Sequence, residues 1–193
     1  MKSVRTKIGG LGNLMFKEAY VYAQMRRGLI PDLYVQGEKY WKEYSDEIKQ
    51  RFGDGIGYID KVALQIRRGD YVGNSFYTDL TQTDYYQRVV AMFPTEEFLV
   101  FCHDNQDVEQ DEKDKEWCKE FLDKLIPGRY EINIPANETE DLNKMASCKA
   151  KIIANSSFGF WAGYLGEGRV IAPKEWFADG VERIQLPESF EKI

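Results

Sequence analysis

Two adjacent arginines, Arg67 and Arg68, stand at the end of the apolar run VALQI and are followed at once by Gly69 and Asp70. A guanidinium held at a strand end can bind a diphosphate through two parallel hydrogen bonds and offset charge developing on a departing phosphate oxygen. The structural alternative is an ion pair with Asp70 that orders the loop. Backbone twist sends one of two consecutive side chains toward a crevice and the other toward the sheet or solvent.

Three further clusters suit related chemistry. Asn155-Ser156-Ser157 follows the run KIIA and opens a helix near Phe158, which fits N-capping and equally an anion site of backbone N–H groups and hydroxyls. His103-Asp104-Asn105 follows FLVFC, where Asp104 could accept from a guanine N1–H and amino group or cap the next segment. The opening GGLGNLMF, Gly9 to Phe16, puts Gly10, Gly12 and Asn13 at a helix start, where glycines permit close backbone approach and the helix presents its positive end. It lacks the lysine of a P-loop and the spacing of GxGxxG. The HDN cluster with Asp107 has no metal-ligand spacing and His103 is the single histidine, so no metal site is expected.

The elements that must carry these clusters alternate. The pattern predicts a short strand at Val4 to Ile8, a helix from Leu14 to Arg27 with Met15, Ala19, Tyr22 and Ala23 on one face, and a charged helix from Tyr40 to Phe52. Buried strands are predicted at Val62 to Ile66, Phe98 to Cys102, Lys151 to Ala154 and Val170 to Ala172, with another at Tyr130 to Ile134. Helices between them are predicted at Thr83 to Met92, Val108 to Ile126 and Asp141 to Cys148. Strands separated by such helices imply an α/β fold with a mostly parallel sheet. Ligands of such sheets bind beyond the strands' carboxyl ends, where RRGD, HDN and NSS all fall.

Composition bounds the rest. With 193 residues, 43% hydrophobic and 14% aromatic, the chain has material for a substantial core. A net charge of −6 argues against general binding to nucleic acid or anionic membrane, so a phosphate ligand should be small and pocketed. Three cysteines without metal spacing fit free thiols in a reducing cytosol, and no stretch approaches the ~20 apolar residues that span a bilayer. The expectation is a cytoplasmic protein in which the RGD tripeptide and the Asn137 and Asn155 sequons are chance matches.

In order along the chain, GGLGNLMF, QIRRGDYV, FCHDN, EWCKEF, EDLNKMASCKAKIIANSSFGFWAGYLG and VIAPKEWF resemble the α-1,2-fucosyltransferases of glycosyltransferase family 11 and their α-1,6- and protein O-fucosyltransferase relatives. The resemblance implies a metal-independent, inverting transfer of L-fucose from GDP-β-L-fucose to an acceptor glycan, on a GT-B-like fold whose Rossmann-like half binds the donor. It implies no cofactor. Carried over, Arg67 contacts the β-phosphate with Arg68 in support, Asp104 reads guanine, and Ser156 and Ser157 hold phosphate oxygens beside Asn155 and Phe158. Gly10, Gly12 and Asn13 lie near the diphosphate or the transferred sugar, and Asp70 is the general base or the group that positions Arg67.

The chain departs from the family pattern at Gln65, where histidine is usual, at Asn105 in place of a second acid, and at Gly159, where NSSFG replaces NSSFS. The segment Leu33 to Ile48 resembles one that lies far downstream of the first helix in the family. The expected division is therefore a reduced N-terminal segment, 1–58, and a Rossmann-like GDP-sugar domain, 59–193. The acceptor site would be open or completed by a second copy or a partner subunit. A GDP-sugar binding remnant without turnover and a purely structural module are the other readings; RRGD together with NSS favours the enzyme and the binding remnant over the structural module.

Overall fold

Along each strand, successive side chains go to opposite faces of the sheet, and in this chain both faces are apolar. In the computed structural model, which describes residues 10–27, 37–102 and 108–193, Val62, Leu64 and Ile66 join one buried cluster while Ala63 joins the other. A sheet buried on both sides needs helices on both, and the chain supplies them.

The strands are β1 (Ile59–Gln65), β2 (Phe98–Phe101), β3 (Tyr130–Ile132), β4 (Cys148–Ile152), β5 (Arg169–Ala172) and β6 (Glu191–Lys192). They form a six-stranded sheet in the order β3-β2-β1-β4-β5-β6, every neighbouring pair parallel. This is the strand order of a Rossmann-like sheet, and it meets the α/β expectation. The helices are α1 (Leu11–Arg27), α2 (Ser45–Phe52), α3 (Tyr85–Ala91), α4 (Val108–Leu125), α5 (Glu138–Ala146) and α6 (Ser157–Leu165). Helices α3 and α4 cover one face of the sheet; α1, α2, α5 and α6 contribute to the core on the other. Among the described residues no helix is long and apolar enough to cross a membrane.

Several boundaries differ from the sequence pattern. The single helix expected from Tyr40 to Phe52 is two 3-10 turns, Glu38–Tyr40 and Lys42–Tyr44, followed by α2. Trp41 breaks it: its backbone leaves the helical region, at φ −140°, and its buried ring stacks on Trp161 at 5.5 Å. The helix expected at Asp141 to Cys148 starts earlier, because the Asn137 side chain caps it by accepting from the Thr139 and Glu140 amides. It ends at Ala146, and the following strand runs over Cys148–Ile152 rather than Lys151 to Ala154. β6 was not expected; two residues carry no periodicity. The strand predicted at Val4 to Ile8 lies outside the described residues.

Helix α6 is apolar all round and buried all along from Gly159 to Leu165, which a helix achieves only when enclosed on every side. It sits between the sheet and α1, with Phe16 of α1 packed against Phe160 and Trp161. That packing brings the start of α1 to the start of α6.

Candidate active site

A parallel sheet opens a crevice where its winding reverses, because the connections from two adjacent strands leave on opposite faces. Here those strands are β1 and β4. The chain passes from β1 to α3 on one face and from β4 to α6 on the other. The loop after β1 carries Arg67-Arg68-Gly69-Asp70 and the loop after β4 carries Asn155-Ser156, so the two polar clusters flank one crevice.

The two arginines diverge. The Arg68 Nε donates to Asp114 Oδ1 at 2.9 Å, and its guanidinium lies 3.8 Å from the centre of the Trp117 ring, both on α4. Asp114 Oδ2 also accepts from the Gly69 amide at 3.0 Å. Arg67 instead lies over the Tyr71 ring at 5.0 Å. Tyr71 stacks on Tyr77 at 4.2 Å, and its hydroxyl donates to the Asn155 carbonyl at 3.0 Å, which ties the loop after β1 to the loop after β4. Asp70 falls in the 3-10 turn Gly69–Tyr71, with its side chain outside the described set.

The Asn155 side chain is buried and spans two segments, donating to the Thr78 and Trp176 carbonyls at 2.9 and 2.8 Å. The Ser156 hydroxyl caps α6, accepting from the Phe158 amide at 3.3 Å. Capping occupies a lone pair and leaves the O–H as a donor. Ser157 is the first residue of α6, and Phe158 packs half-buried on the core beneath.

Across from them, the Gly10 carbonyl accepts from the Asn13 and Leu14 amides at 3.1 and 3.3 Å, closing the first turn of α1. Gly12 is in contact with α6: a Cβ there would stand 2.6 Å from the Ser157 carbonyl carbon and 2.8 Å from the Phe158 nitrogen. Trp161 Nε1 locks this approach by donating to the Gly12 carbonyl at 2.9 Å. Two helix N-termini therefore meet at the crevice, each presenting the positive end of its dipole, which suits an anion, with Asn13 half-buried in the first turn of α1.

Gln65, the last residue of β1, is 6% exposed; its Oε1 accepts from the Ala154 amide at 3.0 Å and its carbonyl accepts from the Tyr86 hydroxyl at 2.9 Å. Tyr85 likewise donates to the Ile153 carbonyl at 2.7 Å. Burial pushes both phenols far above their ordinary pKa, so they stay protonated donors for strand-end carbonyls. Asp104 lies outside the described residues. Arg67, Tyr71 and the α6 start thus come together, while Arg68 turns to α4 and Gln65 and Asn155 hold the strand ends.

Asp114 and Tyr71 are the site residues that motif reading passed over. Asp114 shares a helix face with buried Cys118 and Leu122, at i, i+4 and i+8, and a carboxylate on an apolar face is the signal that marks it. Hydrogen bonding with Cys102 and burial hold the Cys118 thiol protonated, consistent with three buried free cysteines.

Comparison with known proteins bears on what this crevice serves. The family model described as Glycosyl transferase family 11 matches residues 36–191. The chain belongs to that family. Among the family 11 relatives, an alpha-1,2-colitosyltransferase of Escherichia coli is 27% identical over 166 residues, covering 74% of this chain and 54% of the relative. The O-antigen biosynthesis glycosyltransferase WbnK of Escherichia coli is 28% identical over 127 residues, covering 60% of this chain and 39% of the relative. This family 11 chain thus spans about half the length, or less, of these curated relatives. Among solved structures, an alpha,alpha-trehalose-phosphate synthase (UDP-forming) from Burkholderia vietnamiensis aligns with a TM-score of 0.38 at 9% identity, covering 87% of this chain and 37% of that one.

Proposed function

We propose that the chain carries the donor site of an inverting, metal-independent glycosyltransferase that moves L-fucose from GDP-β-L-fucose to a hydroxyl of an acceptor glycan, α-1,2 to galactose. The observation that carries this is the tie between Tyr71 and Asn155. It joins the loop bearing Arg67 to the loop that opens α6, beside the meeting point of two helix N-termini. A diphosphate needs cationic and N–H donors converging from several directions, and this crevice offers both kinds.

In the reaction the acceptor oxygen attacks the anomeric carbon as the bond to the β-phosphate oxygen breaks, and the β-linked donor becomes an α-linked product. Arg67 and the amides of α1 and α6 take up the charge that develops on the departing GDP. Ser156 and Ser157 donate to phosphate oxygens, Asn13 stands by the transferred sugar, Asp104 reads guanine, and Asp70 takes the acceptor proton or orients Arg67. In this reading residues 59–193 form the GDP-sugar-binding domain and 1–58 are a reduced N-terminal segment whose glycine loop and helix cap the donor.

Thermal unfolding with GDP-fucose, in the absence of divalent cations, tests it. Donor at a hundredfold over Kd should raise Tm by about 5–10 °C, and Arg67→Ala should abolish the shift. GDP release in the presence of a galactose-terminated glycan marks an enzyme; binding without release marks a binding protein. A donor carrying colitose belongs in the same screen, since one relative is a colitosyltransferase. No shift with any GDP-sugar would overturn the nucleotide reading.

A further inference from the structure

A carboxylate on the inner face of a helix is costly to bury, and apolar replacements of buried ion pairs commonly hold a fold as well or better. Asp114 has such a place, with its side chain 4% exposed and that of Arg68 15%. What the pair does supply is geometry. One carboxylate grips two successive residues of the loop after β1, at the Arg68 guanidinium and the Gly69 amide, while the flat face of Trp117 lies against the same guanidinium. Trp117 is in turn stacked on Phe121 at 5.1 Å. With Arg68 drawn to α4, its neighbour Arg67 is left over Tyr71, on the side tied to the loop after β4.

We propose that Asp114 is a positioning residue: from α4, with Trp117, it fixes the Arg68-Gly69 backbone and so sets where Arg67 stands in the crevice. The inference rests on the phosphate-binding reading of Arg67 but makes a separate claim about the loop. The two consecutive arginines divide the work, one anchoring and one binding. The anchor is rigid because it combines a two-point carboxylate grip with a stacked plane, which a lysine at position 68 could not reproduce.

The test uses the intact chain and two readouts. Asp114→Asn should weaken GDP binding, measured by calorimetry, at least tenfold. It should also speed amide hydrogen exchange in the peptide spanning 66–79 while leaving the peptides of β4 and α6 unchanged. In the Arg67→Ala background, titrated at GDP concentrations high enough to measure its weakened binding, the same substitution should weaken GDP no further than twofold, because its effect passes through Arg67. Asp141→Asn, which disturbs another buried carboxylate, one that accepts from Asn133 Nδ2 at 2.9 Å, serves as the stability control and should leave GDP affinity within twofold. If Asp114→Asn does not fold, Trp117→Leu, at a half-buried site, should give the same exchange signature.

Wild-type GDP affinity and unchanged loop exchange in Asp114→Asn would overturn the proposal, as would equal losses in the Asp141 control or full additivity with Arg67→Ala. If the wild-type chain binds no GDP, the functional reading fails. The exchange result then decides the anchor alone.

Discussion

Gln65 and Gly159 occupy one space: a Cβ on residue 159 would fall on the Gln65 amide oxygen, with the Ile153 Cβ only 3.0 Å from the same point. The Gln65 oxygen cannot simply swing aside, because it accepts from the buried Ala154 amide at 3.0 Å. Both are positions at which the resemblance to family 11 leads to an expectation of another residue, histidine at 65 and serine at 159. The longer side chain on β1 and the missing one on α6 are two halves of one packing solution.

Gly159→Ser alone should therefore cost about 1–3 kcal/mol, by displacing Gln65 and leaving the Ala154 N–H unpaired. Combining it with Gln65→His should recover at least half of that loss in denaturant unfolding, a coupling of ~1 kcal/mol. Strictly additive stabilities would show that the two positions are independent.

The two glycines of the opening loop should respond in opposite ways. A Cβ at Gly12 meets backbone of Ser157 and Phe158 at 2.6 and 2.8 Å, whereas one at Gly10 meets nothing within 4 Å. Gly12→Ala must push α1 from α6, at a cost of about 1–3 kcal/mol and with weaker GDP binding. Gly10→Ala should stay within ~0.5 kcal/mol of the parent by thermal melting. Equal effects would mean that the contact between the helix starts does not govern the loop.

Lys151 supplies a pH dependence. It is fully buried on β4, with Nζ donating to the Cys148 carbonyl at 3.3 Å and to the carbonyls of Ala146, at the end of α5, and Glu167, just past α6. Burial pushes its pKa from the ordinary 10.5 down to about 8. Between those values the unfolded chain binds more protons than the folded one. Stability from this group therefore rises with pH across that window, by at most ~1.4 kcal/mol per unit, and is flat below it. Urea unfolding at pH 7.5 and 9.5 should show the stability difference between wild type and Lys151→Met shift in favour of wild type at the higher pH. No change in that difference would place the lysine's titration elsewhere.

Much of the fold was legible in the residues because its signals are local. Apolar runs such as VALQI and FLVFC, separated by amphipathic stretches, name a parallel sheet with crossover helices, and Ser156 marks a helix start through chemistry confined to a few residues. RRGD and NSS are likewise readable as strand-end clusters. The break at Trp41 came where a distant partner overrode the local pattern, since burying its ring against Trp161 interrupts a helix that periodicity joins. The early start of α5 instead follows a local cap, Asn137, that the apolar pattern passes over.

The clusters' chemistry and their place at strand ends are therefore properties of the chain itself. Which side chains share a space is not, because that depends on strand order and on helices brought together from remote parts of the sequence. β1 and β4 are neighbours only in the folded sheet, and only there does Tyr71 reach Asn155 or Gln65 face Gly159. The same holds for the arginines: their spacing says that they diverge, but packing against α4 selects Arg68 for Asp114 and leaves Arg67 on Tyr71. Gly12, a loop glycine by sequence, is a contact between two helix starts because the enclosed helix α6 admits backbone, and nothing larger, at that point.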